Sequence, residues 1–243
     1  FTNVETARGK RDEQDGRAVT VSAWQGFGLG SDGFLTLSAE YSDRDPTNRS
    51  DYDPRPAANG AITARFGDPK VEQWSVFANA GKPLNADWEA YGWAGYQERD
   101  SSSAAFPRLS NNPNNVPSIY PNGFLPKIAI NSQDVSAAGG VRGTLAGWDA
   151  DFSLVYGRNA LDFRTEDSLN ATYGAASPTS FDSGGLTYDQ LVFGADFTRQ
   201  FEIGLDGGPL NFAWGLEARK ENYKIDAGQP ESWNRGPLGS NTA

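Results

Sequence analysis

The stretch Trp148-Asp149-Ala150-Asp151-Phe152-Ser153-Leu154-Val155-Tyr156 carries an apolar residue at every second position. Trp148, Ala150, Phe152, Leu154 and Tyr156 fall on one face. Asp149, Asp151, Ser153, Val155 and Gly157 fall on the other. Strand side chains alternate between faces, whereas a helix repeats its apolar positions with its own longer turn. The stretch is therefore a strand with one apolar and one polar side.

The same pattern recurs on both sides of it. Leu35, Leu37, Ala39 and Tyr41 alternate with Thr36, Ser38 and Glu40. Leu191, Phe193, Ala195 and Phe197 alternate with Gln190, Val192, Gly194, Asp196 and Thr198. Leu210, Phe212, Trp214, Leu216 and Ala218 alternate with Asn211, Ala213, Gly215, Glu217 and Arg219. Weaker signals cover residues 17–29, 70–84, 88–100 and 133–145, so the expected count is eight strands. Within 88–100, Tyr91 and Trp93 compete with Trp88, Ala90, Ala94 and Tyr96 for the apolar side, and the sequence leaves that face open.

The connections set the architecture. Ser31-Asp32-Gly33, Asn85-Ala86-Asp87, Ala146-Gly147 and the Gly-rich residues 202–209 are short hairpin links by composition. Between the hairpins lie long links, residues 42–69, 101–132 and 166–187. Short and long links alternate strictly. A compact soluble domain has little use for structureless loops of about 20 residues. An outer-membrane barrel does, with short periplasmic turns and long extracellular loops. The expected fold is an all-β, antiparallel, up-and-down transmembrane β-barrel segment. In this orientation residues 1–16 are the tail of one extracellular loop, and the chain from Lys224 onward begins another.

A length check agrees. Trp148 and Tyr156 are eight residues apart on one face, roughly 26 Å of strand. A tilt of about 40° shortens that to about 20 Å, close to the apolar band of about 25 Å in such barrels. Phe34, Trp88 and Trp148, just after the short links, are expected at the periplasmic aromatic girdle. Tyr41, Tyr96 and Tyr156 are expected at the outer one.

Composition excludes several functions. The chain has no Cys and no His, so it carries no thiolate nucleophile, no Ser-His-Asp chemistry and no zinc–thiolate site. A net charge of −10 opposes binding to nucleic acid. No apolar run approaches the length of a membrane helix, but alternating barrel strands look soluble on average. The absence of Met, and ends that read as loop, point to a piece of a longer polypeptide.

Four stretches resemble the barrel of TonB-dependent receptors of Gram-negative outer membranes. They are Gly33-Phe34-Leu35-Thr36-Leu37-Ser38-Ala39-Glu40-Tyr41 with the following Asp43-Arg44-Asp45-Pro46-Thr47-Asn48-Arg49; Arg65-Phe66-Gly67-Asp68-Pro69 leading into Phe77-Ala78-Asn79-Ala80-Gly81; Tyr120-Pro121-Asn122-Gly123-Phe124-Leu125-Pro126-Lys127-Ile128; and Gly208-Pro209-Leu210-Asn211-Phe212-Ala213-Trp214-Gly215-Leu216-Glu217-Ala218-Arg219-Lys220-Glu221. The resemblance implies a 22-stranded barrel filled by an N-terminal plug. It implies uptake of a siderophore-iron complex, cobalamin or an oligosaccharide, driven by TonB with ExbB and ExbD through a region preceding this chain. The whole of residues 1–243 would then be part of one barrel domain in the bacterial outer membrane, meeting lipid, without its plug, TonB box or closing strands. No cofactor is implied, and no enzyme activity.

Candidate chemistry is sparse. Asp149 and Asp151 share a strand face, as do Glu217, Arg219 and Glu221; both groups read as polar, lumen-facing wall. Asp43, Asp45, Asp51 and Asp53 could bind Ca²⁺, but Arg44, Arg49 and Arg55 in the same loop favour a salt-bridged segment, so no metal is expected. Asn48-Arg49-Ser50 and Asn170-Ala171-Thr172 match a glycosylation sequon by chance. Residues 101–132 are rich in Ser, Asn and Pro with aromatics between them. Such loops either capture ligands by stacking and hydrogen bonding or pack on their neighbours. The candidate ligand contacts are Phe106, Arg108, Tyr120, Tyr173 and Phe181.

Two other classes fit the same strands. A passive porin or adhesin barrel would lack a plug. A soluble carbohydrate-binding β-sandwich would cover its apolar strand faces with a second sheet and need no detergent.

Overall fold

The computed structural model describes residues 2–7, 15–204 and 207–239, the first of these segments by its backbone alone. Among the described residues eleven strands are formed: β1 (Thr2–Ala7), β2 (Ala18–Leu29), β3 (Gly33–Arg44), β4 (Lys70–Pro83), β5 (Trp88–Ala104), β6 (Arg108–Leu109), β7 (Gly123–Phe124), β8 (Lys127–Leu145), β9 (Trp148–Glu166), β10 (Phe181–Phe201) and β11 (Leu210–Ala227). One helical turn, α1 (Pro230–Trp233), follows, and short 3-10 turns span Pro56–Ala58 and Ala171–Ala176. The fold is all-β, and no helix among the described residues is long and apolar enough to cross a membrane.

Nine strands make one antiparallel up-and-down sheet in the order β1-β2-β3-β4-β5-β8-β9-β10-β11. The sheet is open, since β1 and β11 do not pair. β6 and β7 form a separate ribbon. The four short links join paired neighbouring strands at one end, residues 205 and 206 of the last lying outside the described residues, and the three long ones join neighbouring strands at the other end. Ala146 and Gly147, with φ of 51° and 79°, make a left-handed two-residue turn between Leu145 and Trp148. Turns of that hand match the twist of the flanking strands.

Three expectations need correction. First, Thr2–Ala7 is not loop: it is a ninth strand, paired with β2 from Thr2↔Ala23 to Ala7↔Ala18. Thr2, Val4 and Thr6 place β-branched residues at every second position, and the edge of β2 offers an unfilled ladder. Residues 8–14 of the same expected loop lie outside the described residues. Second, the strands run past their expected ends. β5 reaches Ala104, β8 begins at Lys127, β9 ends at Glu166, β10 begins at Phe181 and β11 ends at Ala227. The long links shrink to residues 45–69, 105–126 and 167–180, and the final loop starts at Gly228. In these outer reaches the apolar phase is lost: Ser101, Ser102 and Ser103 of β5 are polar on both faces, and Leu161 and Phe163 of β9 stand on the face opposite Trp148, so the period-two signal breaks while the ladder of backbone bonds continues. Third, Phe34 does not stand with Trp88 and Trp148. It pairs with Gly28 and Gly81, one step out of phase with Leu35, and sits on the polar face.

The register assigns both faces. Trp148, Ala150, Phe152, Leu154 and Tyr156 align with Leu145, Gly143, Val141, Gly139 and Ala137 of β8, and these with Trp88, Ala90, Gly92 and Ala94 of β5. The same face continues through Val76 and Ala78 of β4 and through Ala39 and Leu37 of β3. On the other side it passes through Phe193 and Phe197 to Ala218 and Trp214. This settles β5: Trp88 and Tyr96 are apolar-face residues, and Tyr91 and Trp93 belong to the polar face. Gly140 makes room for that arrangement. A Cβ there would stand 2.6 Å from the Tyr91 ring and 2.7 Å from the Phe152 carbonyl.

No large side chain among the described residues is fully buried, because no second sheet covers the first. Leu154 is 50% and Leu216 65% exposed. Withdrawing such a side chain from water is worth about 1.5–3 kcal/mol. A face of this size and composition calls for an apolar cover.

Candidate functional site

Two regions carry the candidate residues: the polar face of the sheet and the loops at its long-link end. Asp149 and Asp151 lie on the polar face of β9, opposite Thr198 and Asp196 of β10. They do not act as a pair. The Tyr91 hydroxyl, two strands away, donates to Asp151 Oδ1 at 2.6 Å. Glu217 and Arg219 share the polar face of β11, where the guanidinium bridges Glu217 at 2.8 Å and Glu221 at 3.6 Å. Tyr188 of β10 donates to Glu221 at 2.8 Å. On β5 and β8, Glu89 and Arg142 pair at 3.0 Å across the strands. Asp151, Glu217, Arg219, Glu221, Glu89 and Arg142 are thus tied to partners within the sheet.

The polar face also carries rings. Phe77 and Trp93 stack with centroids 5.9 Å apart. Phe34 and Trp24 stand on the same side of β3 and β2.

At the far end the loops interlock over the polar face. Asn170 donates its amide to the carbonyls of Glu231 and Asn234 at 2.9 and 3.0 Å, and its Oδ1 accepts from Thr172. Gly236 N–H reaches Thr172 Oγ1 at 2.8 Å. Asn115, only 4% exposed, organises the 105–126 loop by donating to the carbonyls of Ser110 and Tyr120.

The five expected ligand contacts divide. Arg108 and Phe181 line one cleft of about 540 Å³ between the 105–126, 167–180 and 228–239 segments. Phe181 is buried there, so its ring is floor rather than a presented surface. Tyr120 stacks on Phe124 at 4.7 Å, and its hydroxyl reaches the Ser168 carbonyl at 3.5 Å. Burial, and secondarily the Asp167 carboxylate, raise its pKa above the ordinary value. Tyr173 packs beneath Gly236. Phe106 is 74% exposed and stands apart. Four of the five therefore sit in or beside the joint between loops.

The acidic loop is held by ion pairs. Asp53 binds Arg55 at 2.5 Å and accepts from the Thr63 hydroxyl, and Arg49 pairs with Asp15 at 2.8 Å. The hydrogen bonds from Arg55 and then Thr63 hold the Asp53 carboxyl far below the ordinary carboxylate range. Among the described residues no three acidic side chains converge as metal ligands would. Both sequon asparagines have structural work. Asn48 Oδ1 accepts from Ser50 N–H and Phe66 N–H, and Asn170 is occupied as above. Their Asn-X-Ser/Thr spacing is an Asx-turn signal. Read that way, it would have marked both as loop organisers.

The apolar face has its own boundary. Tyr41 donates to Glu72 Oε1 at 3.1 Å, and Tyr96 donates to Glu98 Oε2 at 3.2 Å. Both rings lie at the end of the apolar residues and both carboxylates just beyond them, on the same face. From there outward this face carries Glu72, Glu98, Asp100, Arg158, Asp162 and Arg164.

No family model matches the chain, and no curated protein matches it.

Proposed function

We propose that this chain is part of the barrel of an outer-membrane receptor that imports a scarce nutrient, energised by TonB. The observation that carries the reading is the bounded apolar belt. Trp88 and Trp148 mark one end of it and Tyr41, Tyr96 and Tyr156 the other, with charged residues directly beyond. Tyrosines at a bilayer interface keep the ring in the apolar layer and the hydroxyl in the polar one. The Tyr41 and Tyr96 hydroxyls are directed in that sense.

The single-layer sheet supports a membrane cover over a soluble sandwich, whose second sheet would have to lie on this face. The polar face favours a receptor over an open pore. Phe77, 43% exposed, and Trp93 beside it would stand in water in an open channel, whereas a plug inside the barrel would cover them. The resemblance of the four quoted stretches points the same way. In this reading Asp149, Asp151, Glu217 and Arg219 face the lumen, and the interlocked loops form the outer mouth. Arg108 and Phe106 are its accessible groups. The barrel would have 22 strands, with TonB, ExbB and ExbD acting through a region outside this chain.

The test is the denatured mass of the polypeptide containing these peptides, recovered from outer membranes washed with carbonate. A plugged 22-stranded barrel needs roughly three times this length or more. Retention after the wash with a mass of that order supports the receptor. Release by the wash, or a polypeptide no longer than these 243 residues, contradicts it.

A further inference from the structure

At the outer edge of the apolar belt, the charge of the face changes sign across the sheet. On β4 and β5 the first residues past the rim are Glu72 and Glu98, each taken by a tyrosine hydroxyl. On β9 the residue after Tyr156 on this face is Arg158, and on β11 the residue after Ala218 is Lys220. Leu191 of β10 aligns with both Tyr156 and Lys220, and Asp189 with Arg158, so Lys220 stands level with the Tyr156 rim and Arg158 one step beyond it. Among the described residues neither forms an ion pair. Lys224, farther out, differs: it is bound by Asp226 at 2.7 Å. Asp189 aligns with Arg158 but accepts the Asn222 amide at 2.8 Å.

We propose that Arg158 and Lys220 hold the phosphate of an anionic lipid headgroup whose tails lie against Leu154, Leu191, Phe193 and Ala218. This rests on the reading of the apolar face as lipid-facing. The cations stand two strands apart, roughly 10 Å across the sheet. Long basic side chains lay their stems along apolar surface and raise their charge to the polar layer, so both can converge on one phosphate. The β4–β5 side carries the carboxylates of Glu72 and Glu98 past its rim and repels that headgroup, so the lipid is selected at β9–β11. Asp189 is the one opposing charge between the two cations.

The test uses the native protein in phosphatidylcholine vesicles that carry spin-labelled phosphatidylglycerol or spin-labelled phosphatidylcholine. The motionally restricted signal is expected to prefer phosphatidylglycerol. Arg158→Gln and Lys220→Gln should each reduce that preference about fivefold, and Asp189→Asn should raise it by a similar factor. Lys224→Gln should leave it unchanged, because that charge is already paired. An equal preference in wild type and the Arg158→Gln/Lys220→Gln double variant overturns the proposal, as does no preference in wild type. If neither lipid shows a restricted component, the lipid-facing reading itself fails.

Discussion

The Tyr41 hydroxyl lies 3.1 Å from Glu72 Oε1 across the β3–β4 ladder, with the ring at the last apolar position and the carboxylate at the first charged one. Tyr96 and Glu98 repeat the relation within β5. Two strands thus end their apolar residues with the same amphipathic side chain, its polar end outward. Packing within the sheet does not require that direction, whereas an interface between apolar and polar layers does.

Leu154 and Ser153 give a first prediction. Leu154 is half exposed in this chain, and in water its replacement by Arg would move stability by no more than about 0.5 kcal/mol. Mid-belt on a lipid face, Leu154→Arg costs about 2–4 kcal/mol, while Ser153→Arg on the polar face costs little. Urea titration of the protein folded in lipid should separate the two variants by that margin. Equal effects would remove lipid from the account.

Asn170 is expected to hold the outer loops together. Asn170→Ala removes two bonds to the carbonyls of Glu231 and Asn234 and the Oδ1 acceptor for Thr172. Leaving such groups unpaired costs about 1–3 kcal/mol of local stability. Trypsin cleavage after Arg235 should accelerate about tenfold while the sheet stays intact. No change in cleavage rate would mean the loops are held by packing alone.

Asp53 sets the acid response of the 45–69 loop. Its folded-state pKa is depressed below the ordinary 3.8 by Arg55 and Thr63. A depressed carboxyl contributes stability that is fully present above its unfolded pKa and is lost as pH falls through the folded value. Pepsin cleavage beside Tyr52 or Phe66 should therefore stay slow at about pH 4 and rise only well below 3.8. Asp53→Asn should be cleaved readily throughout. Wild-type cleavage that rises already above 3.8 would contradict the assignment.

The limits of the sequence have particular causes. The apolar face of β9 was legible because every second residue from Trp148 to Tyr156 is apolar and Asp149, Asp151 and Ser153 are not. β5 was ambiguous because aromatic residues occupy both phases. Its face is decided by Tyr91 reaching Asp151 two strands away over Gly140, a relation outside any single strand. Phe34 misled because it follows a turn directly, and position after a turn says nothing about phase. The outer strand ends were invisible because Ser101, Ser102 and Ser103, or Asn131 and Ser132, put polar groups on both faces. Among the candidate contacts, Phe181 and Tyr173 read as ligand groups by residue type alone, and only the docking of the loops shows that Phe181 is buried and that Tyr173 lies against Gly236. Asn170, the residue that joins those loops, was visible as a motif and was assigned to chance.

In the proposed barrel one face of this sheet meets lipid from Trp148 to Tyr156 and leaves it at Arg158. The most direct measurement is a nitroxide scan of residues 148–166 in the native protein in lipid vesicles, comparing collision with oxygen and with a water-soluble nickel chelate. Lipid contact gives high oxygen and low chelate exposure at positions 148, 150, 152, 154 and 156. That alternation should vanish from 158 outward, where this face becomes charged with Arg158, Asp162 and Arg164. Chelate exposure at the even positions equal to that at positions beyond 158 would place the apolar face in water, and low exposure to both oxygen and chelate would place it against protein; either result contradicts lipid contact.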